Sequence, residues 1–258
     1  GLTEIVMKQM LNRAGGNKAS NYDDLAYLVA PIPEHSHEAI LQLARYDNVF
    51  LNEQFVDGSD GTKWELDDVT AATGPPAGDV EGLKTGTGVY DQADIGVNLM
   101  MFLQQGTNPE FYRGHLLIKN NRDVDNFGDI ARLAEAIHQQ GDALFEATNS
   151  VMDVDLWMRH YANQSYFGNW DTYGFRRPKN LRIYLRPEDN RFVPMFWDCD
   201  LCNFTEPIKA RSNECTCRLD DFRNIPHNLR LFWGQMLDFM NRSFTEEYVA
   251  DWARRYGE

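Results

Sequence analysis

Apolar residues at Ile5, Val6, Met10 and Leu11 recur at helical spacing, which predicts a helix over Leu2–Arg13 with Thr3 as its N-cap and Gly15-Gly16 as its stop. Segments 25–30 and 39–44 read as the two strands of a hairpin, joined by the turn-rich Pro31-Ile32-Pro33-Glu34-His35-Ser36-His37. Residues 50–55 predict a helical turn, and Thr62–Leu66 a further strand. The stretch 67–97 is rich in Gly, Pro, Asp and Thr without periodicity, so a mobile, irregular excursion is expected there. From Asn126 the period turns helical, with Ile130, Leu133, Ala134 and Ile137 on one face. Helical patterning continues over 142–149 and 153–167, where Leu156, Trp157, His160, Tyr161 and Gln164 recur. Segments 181–185 and 192–196 then predict an antiparallel strand pair across Arg186-Pro187-Glu188-Asp189-Asn190. Helices over 229–240 and 245–256 close the chain, the second capped by Ser243 or Thr245 with Glu246 and Glu247 favouring its start. The fold class is α+β, with Trp157, Trp233 and Trp252 assigned to the core.

Composition narrows the function. A chain of 258 residues with 43% hydrophobic and 12% aromatic residues can bury a sizeable core. Its net charge of −14 argues against non-specific nucleic-acid binding and against docking on anionic lipid. No apolar run reaches the roughly eighteen residues of a membrane span, so no membrane insertion is expected. Opening at Gly1 in helical sequence and closing at Tyr256-Gly257-Glu258, the chain reads as a piece of a longer protein.

The chemistry concentrates in one stretch. Asp171 follows the long helix through Gly168 and belongs on a loop; Asn180 opens the first strand of the later pair; Asp198 and Asp200 close the second. If the strands fold back on each other, Asn180 lies beside Asp198. Carboxylates converging there repel unless a cation joins them, and Mg²⁺ or Mn²⁺ takes oxygen ligands of this kind. Phosphoryl transfer needs few parts beyond these: a carboxylate to orient the hydroxyl and a held metal to meet phosphate charge. Taken alone, Asp and Asn are also ordinary turn and cap residues.

These residues resemble the CotH kinase family, named for spore coat protein H. The resemblance rests on Tyr166-Phe167-Gly168-Asn169-Trp170-Asp171, Lys179-Asn180-Leu181-Arg182-Ile183-Tyr184-Leu185 and Val193-Pro194-Met195-Phe196-Trp197-Asp198-Cys199-Asp200 with Phe204. Asp153-Val154-Asp155-Leu156-Trp157, Asp47 … Phe50-Leu51 … Phe55 and Gly61-Thr62-Lys63-Trp64 fit it as well. It implies an atypical protein-kinase-like fold that phosphorylates Ser or Thr of secreted or coat proteins with ATP and a divalent metal, at an extracellular or cell-envelope location. By resemblance Asp171 faces the substrate hydroxyl, Asn180 and Asp198 hold the metal and nucleotide, and Asp200 supports or also ligates. Residues 1–258 would form one such domain: a partial strand-containing N-terminal lobe over 1–120, with its long loop at 67–97, and a helical catalytic lobe over 121–258. The family's strand-rich opening, with the basic residues that meet ATP phosphates, has no counterpart here, so the lobe is expected to be truncated and the fragment to bind ATP weakly. Arg176, Arg177 and Lys179 are the basic residues within the catalytic stretch.

Two rival readings remain at this point: a non-catalytic, pseudokinase-like surface or coat module, and, less supported, a glycosidase using Asp171 and Asp198 as its carboxylate pair. The cysteines Cys199, Cys202, Cys215 and Cys217 pair as local disulfides or hold zinc as four thiolates; the family's extracytoplasmic character favours disulfides. His35 and His37 sit in a turn and read as solvated, while His160 reads as a packed group.

Overall fold

The computed structural model describes residues 2–14, 20–32, 34, 36, 38–66, 70–72, 84–86, 112, 116–169, 172, 180–199, 202 and 219–257. Helices are α1 (Leu2–Arg13), α2 (Asn48–Gln54), α3 (Gly128–His138), α4 (Gly141–Val151), α5 (Val154–Tyr166), α6 (Leu219–Asn224), α7 (Pro226–Asp238) and α8 (Glu246–Gly257). Strands are β1 (Asp24–Leu28), β2 (Glu38–Gln42), β3 (Thr62–Leu66), β4 (Thr70–Ala72), β5 (Lys84–Gly86), β6 (Leu116–Ile118), β7 (Leu181–Leu185) and β8 (Phe192–Met195). The chain is therefore α+β, as its patterning predicts.

The organising element is an antiparallel sheet in the order β6-β3-β7-β8. β7 and β8 are buried at every position, which explains why they read as nearly continuous apolar runs rather than alternating ones. Alternation still decides which residue faces which side. Trp64, Leu181, Ile183 and Phe192 join the large core shared with α3 and α5. Tyr184, Val193 and Met195 join a smaller cluster with Tyr46, Leu51 and Phe55 beside α2. Pro194 lacks an N–H to donate, and it sits in β8, an edge strand, where that loss is tolerated.

Helix α5 is buried along almost its whole length, from Val154 to Ser165 with Asp155 excepted. Its N-cap, Asp153, accepts a hydrogen bond from the Leu156 N–H at 3.1 Å and an ion pair from Arg186 at 2.7 Å. The Asp153 N–H and the Trp157 indole N–H both donate to the Phe192 carbonyl, at 3.0 and 2.9 Å. These bonds register α5 against the sheet, so the loop leaving the helix is aimed at the far end of the β7–β8 hairpin. At the N-terminal end, Lys8 of α1 is fully buried between Asp23 at 2.5 Å and Glu4 at 3.3 Å. Asp23 in turn accepts from the Ala44 N–H at 3.0 Å, tying α1 to the segment that follows β2.

Several expectations are revised. Helix α1 begins at Leu2, so Thr3 lies inside it rather than capping it. The 67–97 excursion contains a short antiparallel pair, β4 with β5; its other residues lie outside the described set. Three residues at β6 and six at α6 were too few to register as periodic patterns. The closing helix pair is joined by a π-helical turn over Phe239–Ser243, and Thr245 is the residue whose hydroxyl accepts from the Tyr248 N–H. Trp233 is 45% exposed, not core: it stands on the outward face of α7 with Leu237, and Met240 of the following turn is exposed too.

Glycine space gives a test of the sheet–loop fit. A Cβ at Gly61 would stand 2.4 Å from both the Leu185 carbonyl oxygen and the Tyr184 ring, whereas one at Gly128 meets nothing within 4 Å. Gly61→Ala is expected to destabilise by roughly 2–3 kcal/mol. Gly128→Ala should be neutral or stabilising by up to about 1 kcal/mol. Urea midpoints of the two variants check this contrast; equal effects would contradict it.

Candidate active site

The β7–β8 register pairs Arg182 with Met195 and runs on toward Asn180 on one strand and Trp197-Asp198 on the other. The fold-back expected for Asn180 and Asp198 is thus present: both stand at the same end of the hairpin. Both also have left-handed backbone, with φ of 54° and 57°. Asn and Asp are the non-glycine residues that adopt this conformation most readily, so the polar residue types here have a backbone reason as well as a chemical one. Asp171 and Asp200 lie outside the described residues, as do Trp170, Arg176, Arg177, Lys179, Cys215, Cys217, His35 and His37.

Three contacts hold the hairpin exit. The Tyr46 hydroxyl donates to the Phe196 carbonyl at 2.6 Å. Buried Asn169, just past the end of α5, donates from Nδ2 to the Asp198 carbonyl at 3.1 Å and to Gln164 Oε1 at 2.7 Å. A disulfide joins Cys199 to Cys202, and Cys202 pairs with Asn169 in an isolated antiparallel bridge. The bond takes two sulfurs out of the thiolate pool, which overturns a four-thiolate zinc site. A loop of four residues is short, and closing it stabilises by about 2 kcal/mol in the chain-entropy account.

Beside the hairpin end lies a cavity of about 410 Å³ lined by Leu43, Ala44, Arg45, Tyr46, Lys63, Lys119, Arg182 and Trp197. Strand alternation puts Lys63, Glu65 and Arg182 on the same side of the sheet, since Glu65 pairs directly with Arg182. Glu65 Oε2 accepts from Arg182 Nε at 2.6 Å and stands 3.2 Å from Lys119 Nζ. The Arg182 guanidinium lies 3.1 Å over the Trp197 ring; burial lowers its pKa, opposed by Glu65 and, more weakly, by Tyr46 and Asp198. Lys63 Nζ donates to the Tyr46 carbonyl. Burial first, then the Arg182 charge, lower the Lys63 pKa to about 8; Asp47 and Glu65 oppose this, and Lys119 adds to it. Four cationic side chains, Arg45, Lys63, Lys119 and Arg182, line this cavity, and Glu65, Asp47 and Asp198 offset them in part, within a chain of net charge −14.

Arg176, Arg177 and Lys179, the basic residues of the catalytic stretch, lie outside the described residues. The structure gathers Lys63, Lys119 and Arg182 from three strands or strand ends. One signal was available: Arg182 interrupts an otherwise apolar strand, a costly position for a charge without a purpose or a partner, whereas Lys63 shares β3 with Thr62 and Glu65. Lys119 carried no comparable signal.

Comparison with known families decides the relationship. The family model described as CotH kinase protein matches residues 78–253, more than half of the chain. The chain belongs to the CotH kinase protein family. No curated protein matches it. A CotH kinase domain is kinase-like, which suggests use of ATP and a divalent metal. Asn180 and Asp198 supply hard oxygen donors of the kind Mg²⁺ or Mn²⁺ takes, and Mg²⁺ is commonly held by one or two such groups plus phosphate and water. Among the described residues, no three His, Cys, Asp or Glu side chains form a metal-binding group; Asp171 and Asp200 lie outside them.

The cavity's charge gives a pH test. Pyrophosphate affinity should fall as pH rises above about 8, where Lys63 loses its proton, with the midpoint shifted upward in the complex. Lys63→Met should weaken binding by roughly tenfold or more and remove that pH dependence. In the unliganded protein the same lowered pKa acts in the opposite sense. Above about pH 8, and up to the ordinary lysine range, the unfolded chain binds more protons, so Lys63's contribution to stability rises with pH. Calorimetric titrations at pH 7 and pH 9.5 check the first statement, and pH-independent affinity would contradict it.

Proposed function

We propose that this CotH family chain is a divalent-metal-dependent phosphotransferase that moves the γ-phosphoryl group of ATP to Ser or Thr hydroxyls of secreted or coat proteins at the cell surface or envelope. The observation that carries the reading is the cationic cavity opening next to Asn180 and Asp198 in a chain otherwise strongly acidic. Anions are drawn to that position and repelled elsewhere.

In this reading Lys63, Lys119 and Arg182 hold phosphate oxygens. Arg182 is fixed for the task by Glu65 at its edge and Trp197 at its face, which leaves its planar fork little freedom to lose on binding. Asn180 and Asp198 would hold Mg²⁺ or Mn²⁺, which when bound neutralises charge on the transferring phosphoryl group. Asp171, two residues beyond the Asn169 clamp, accepts or orients the hydroxyl proton. Trp197 walls the cavity against water, which strengthens each of these interactions. Residues 1–120 would play the part of a partial nucleotide lobe, and 121–258 that of the helical catalytic lobe carrying the β7–β8 hairpin.

A second reading, nucleotide binding without transfer in a structural or coat-surface module, suits the chain's net charge of −14. One experiment separates the two. Saturating Mg²⁺-ATP at about a hundred times its Kd should stabilise the wild type by about 2.7 kcal/mol. Asp171→Ala should keep that shift yet lose phosphoryl transfer to Ser/Thr-containing protein by at least about 10²-fold. Asp198→Asn should lose the metal-dependent part of the shift. Wild-type transfer by Asp171→Ala would refute its role; a shift with no transfer in the wild type would establish the second reading.

A further inference from the structure

We infer that the Cys199–Cys202 disulfide is a thiol-sensitive latch that holds Asp198 in its binding geometry, so that a dithiol reductant switches off metal-nucleotide binding at this site; the inference rests on the reading of Asp198 given above. Cys199 directly follows Asp198 and is buried, with its sulfur packed against Met7 of α1. Cys202 is only partly buried and is the sulfur that a reductant reaches. Its backbone pairs with Asn169, the residue whose side chain grips the Asp198 carbonyl. One covalent bond therefore ties together the left-handed Asp198, the clamp from the end of α5, and the packing against α1.

The switching step is an ordinary exchange. A thiolate of the dithiol attacks Cys202 Sγ; the disulfide breaks and its electron pair leaves on Cys199 Sγ, which takes up a proton. The second thiol of the reagent attacks the mixed disulfide and releases Cys202 as a thiol. The dithiol is oxidised to its cyclic disulfide, and the protein gains two protons and two electrons as two thiols. Without the bond, the chain after Asp198 is free to leave Asn169, and the left-handed conformation at Asp198 loses one of its supports. Groups that orient a metal ligand typically change metal affinity by about 10- to 100-fold when removed, and a fall of that order is expected on reduction.

The test pairs a ligand-free readout with a ligand-dependent one. Hydrogen exchange is followed on oxidised and dithiothreitol-reduced protein, and on a Cys199→Ser/Cys202→Ser variant; Mn²⁺-ATP affinity is measured on the same samples. Reduction should speed exchange across 167–169 and 196–199 while β3 stays protected, and should weaken Mn²⁺-ATP by about tenfold or more. The double variant should match reduced wild type and respond no further to dithiothreitol. Unchanged exchange, or faster exchange with unaltered affinity, would overturn the switch. A double variant that still responds like wild type would overturn it too, since another cysteine would then be responsible. Faster local exchange with no Mn²⁺-ATP binding in either state would leave the latch standing as a structural device, remove its role in binding, and bring down the phosphotransferase reading instead.

Discussion

Strand β7 carries the constraint on which the remaining geometry depends. It is hydrogen-bonded on both sides, to β3 and to β8, and every one of its residues is buried. A strand in that position cannot slip by one residue, because each slip would exchange Leu181, Ile183 and Leu185 with Arg182 and Tyr184 across the sheet. Holding that register has two consequences at once. Arg182 is delivered beside Glu65, inside the cationic cavity. Asn180 is delivered to the open end of the hairpin, next to the exit from β8. The binding surface and the two oxygen donors are therefore outcomes of one packing decision and not independently arranged features.

Electrostatics explain why the cavity remains receptive. Burying Lys63 and Arg182 costs free energy, and a protein selected only for stability would pair each with its own carboxylate or replace it with an apolar residue. Here Glu65 serves both Arg182 and Lys119, and Lys63 is left to a backbone carbonyl. Burial is the main cause of the depressed Lys63 pKa, and the Arg182 charge adds to it. An incoming phosphate supplies the missing negative charge, so binding relieves a repulsion that folding leaves in place. Lys8 differs: more deeply buried, it has two carboxylates of its own, and it acts as a joint between α1 and the chain after β2.

Elements long enough to show a period, such as α3, α5 and the two hairpins, were legible because burial of one face writes itself into the residue order. The antiparallel closeness of Asn180 and Asp198 was legible for the same reason, since a turn-rich pentapeptide between two apolar runs admits little else. The cationic cavity was not. Lys63 and Arg182 lie far apart in sequence and meet only through β3–β7 pairing, a non-local event that no local pattern encodes. Trp233 was misplaced because a helix with apolar residues on more than one face does not declare which face is covered; α7 turns Trp233 outward while Phe232 enters the core. The role of Asn169 as a clamp emerges only when its two acceptors, from α5 and from the β8 exit, come together.

Left-handed backbone at Asn180 and Asp198 ties stability to function. For a non-glycine residue that conformation costs roughly 1–2 kcal/mol, less for Asn and Asp, and a relaxed hairpin end has no need of it twice. It persists where surrounding contacts over-determine the chain. Those contacts are present on three sides: Tyr46 on the Phe196 carbonyl, Asn169 on the Asp198 carbonyl, and the disulfide immediately beyond. None of the three touches the side-chain oxygens of Asn180 or Asp198 in these bonds; all act through main chain or through neighbours. The backbone is thus fixed so that side-chain direction follows from it, which is the arrangement a site needs when its donors must be in place before a cation and a phosphate arrive. The same arrangement makes the site vulnerable at its supports, because loss of any one releases a strained residue toward a conformation in which its side chain points elsewhere.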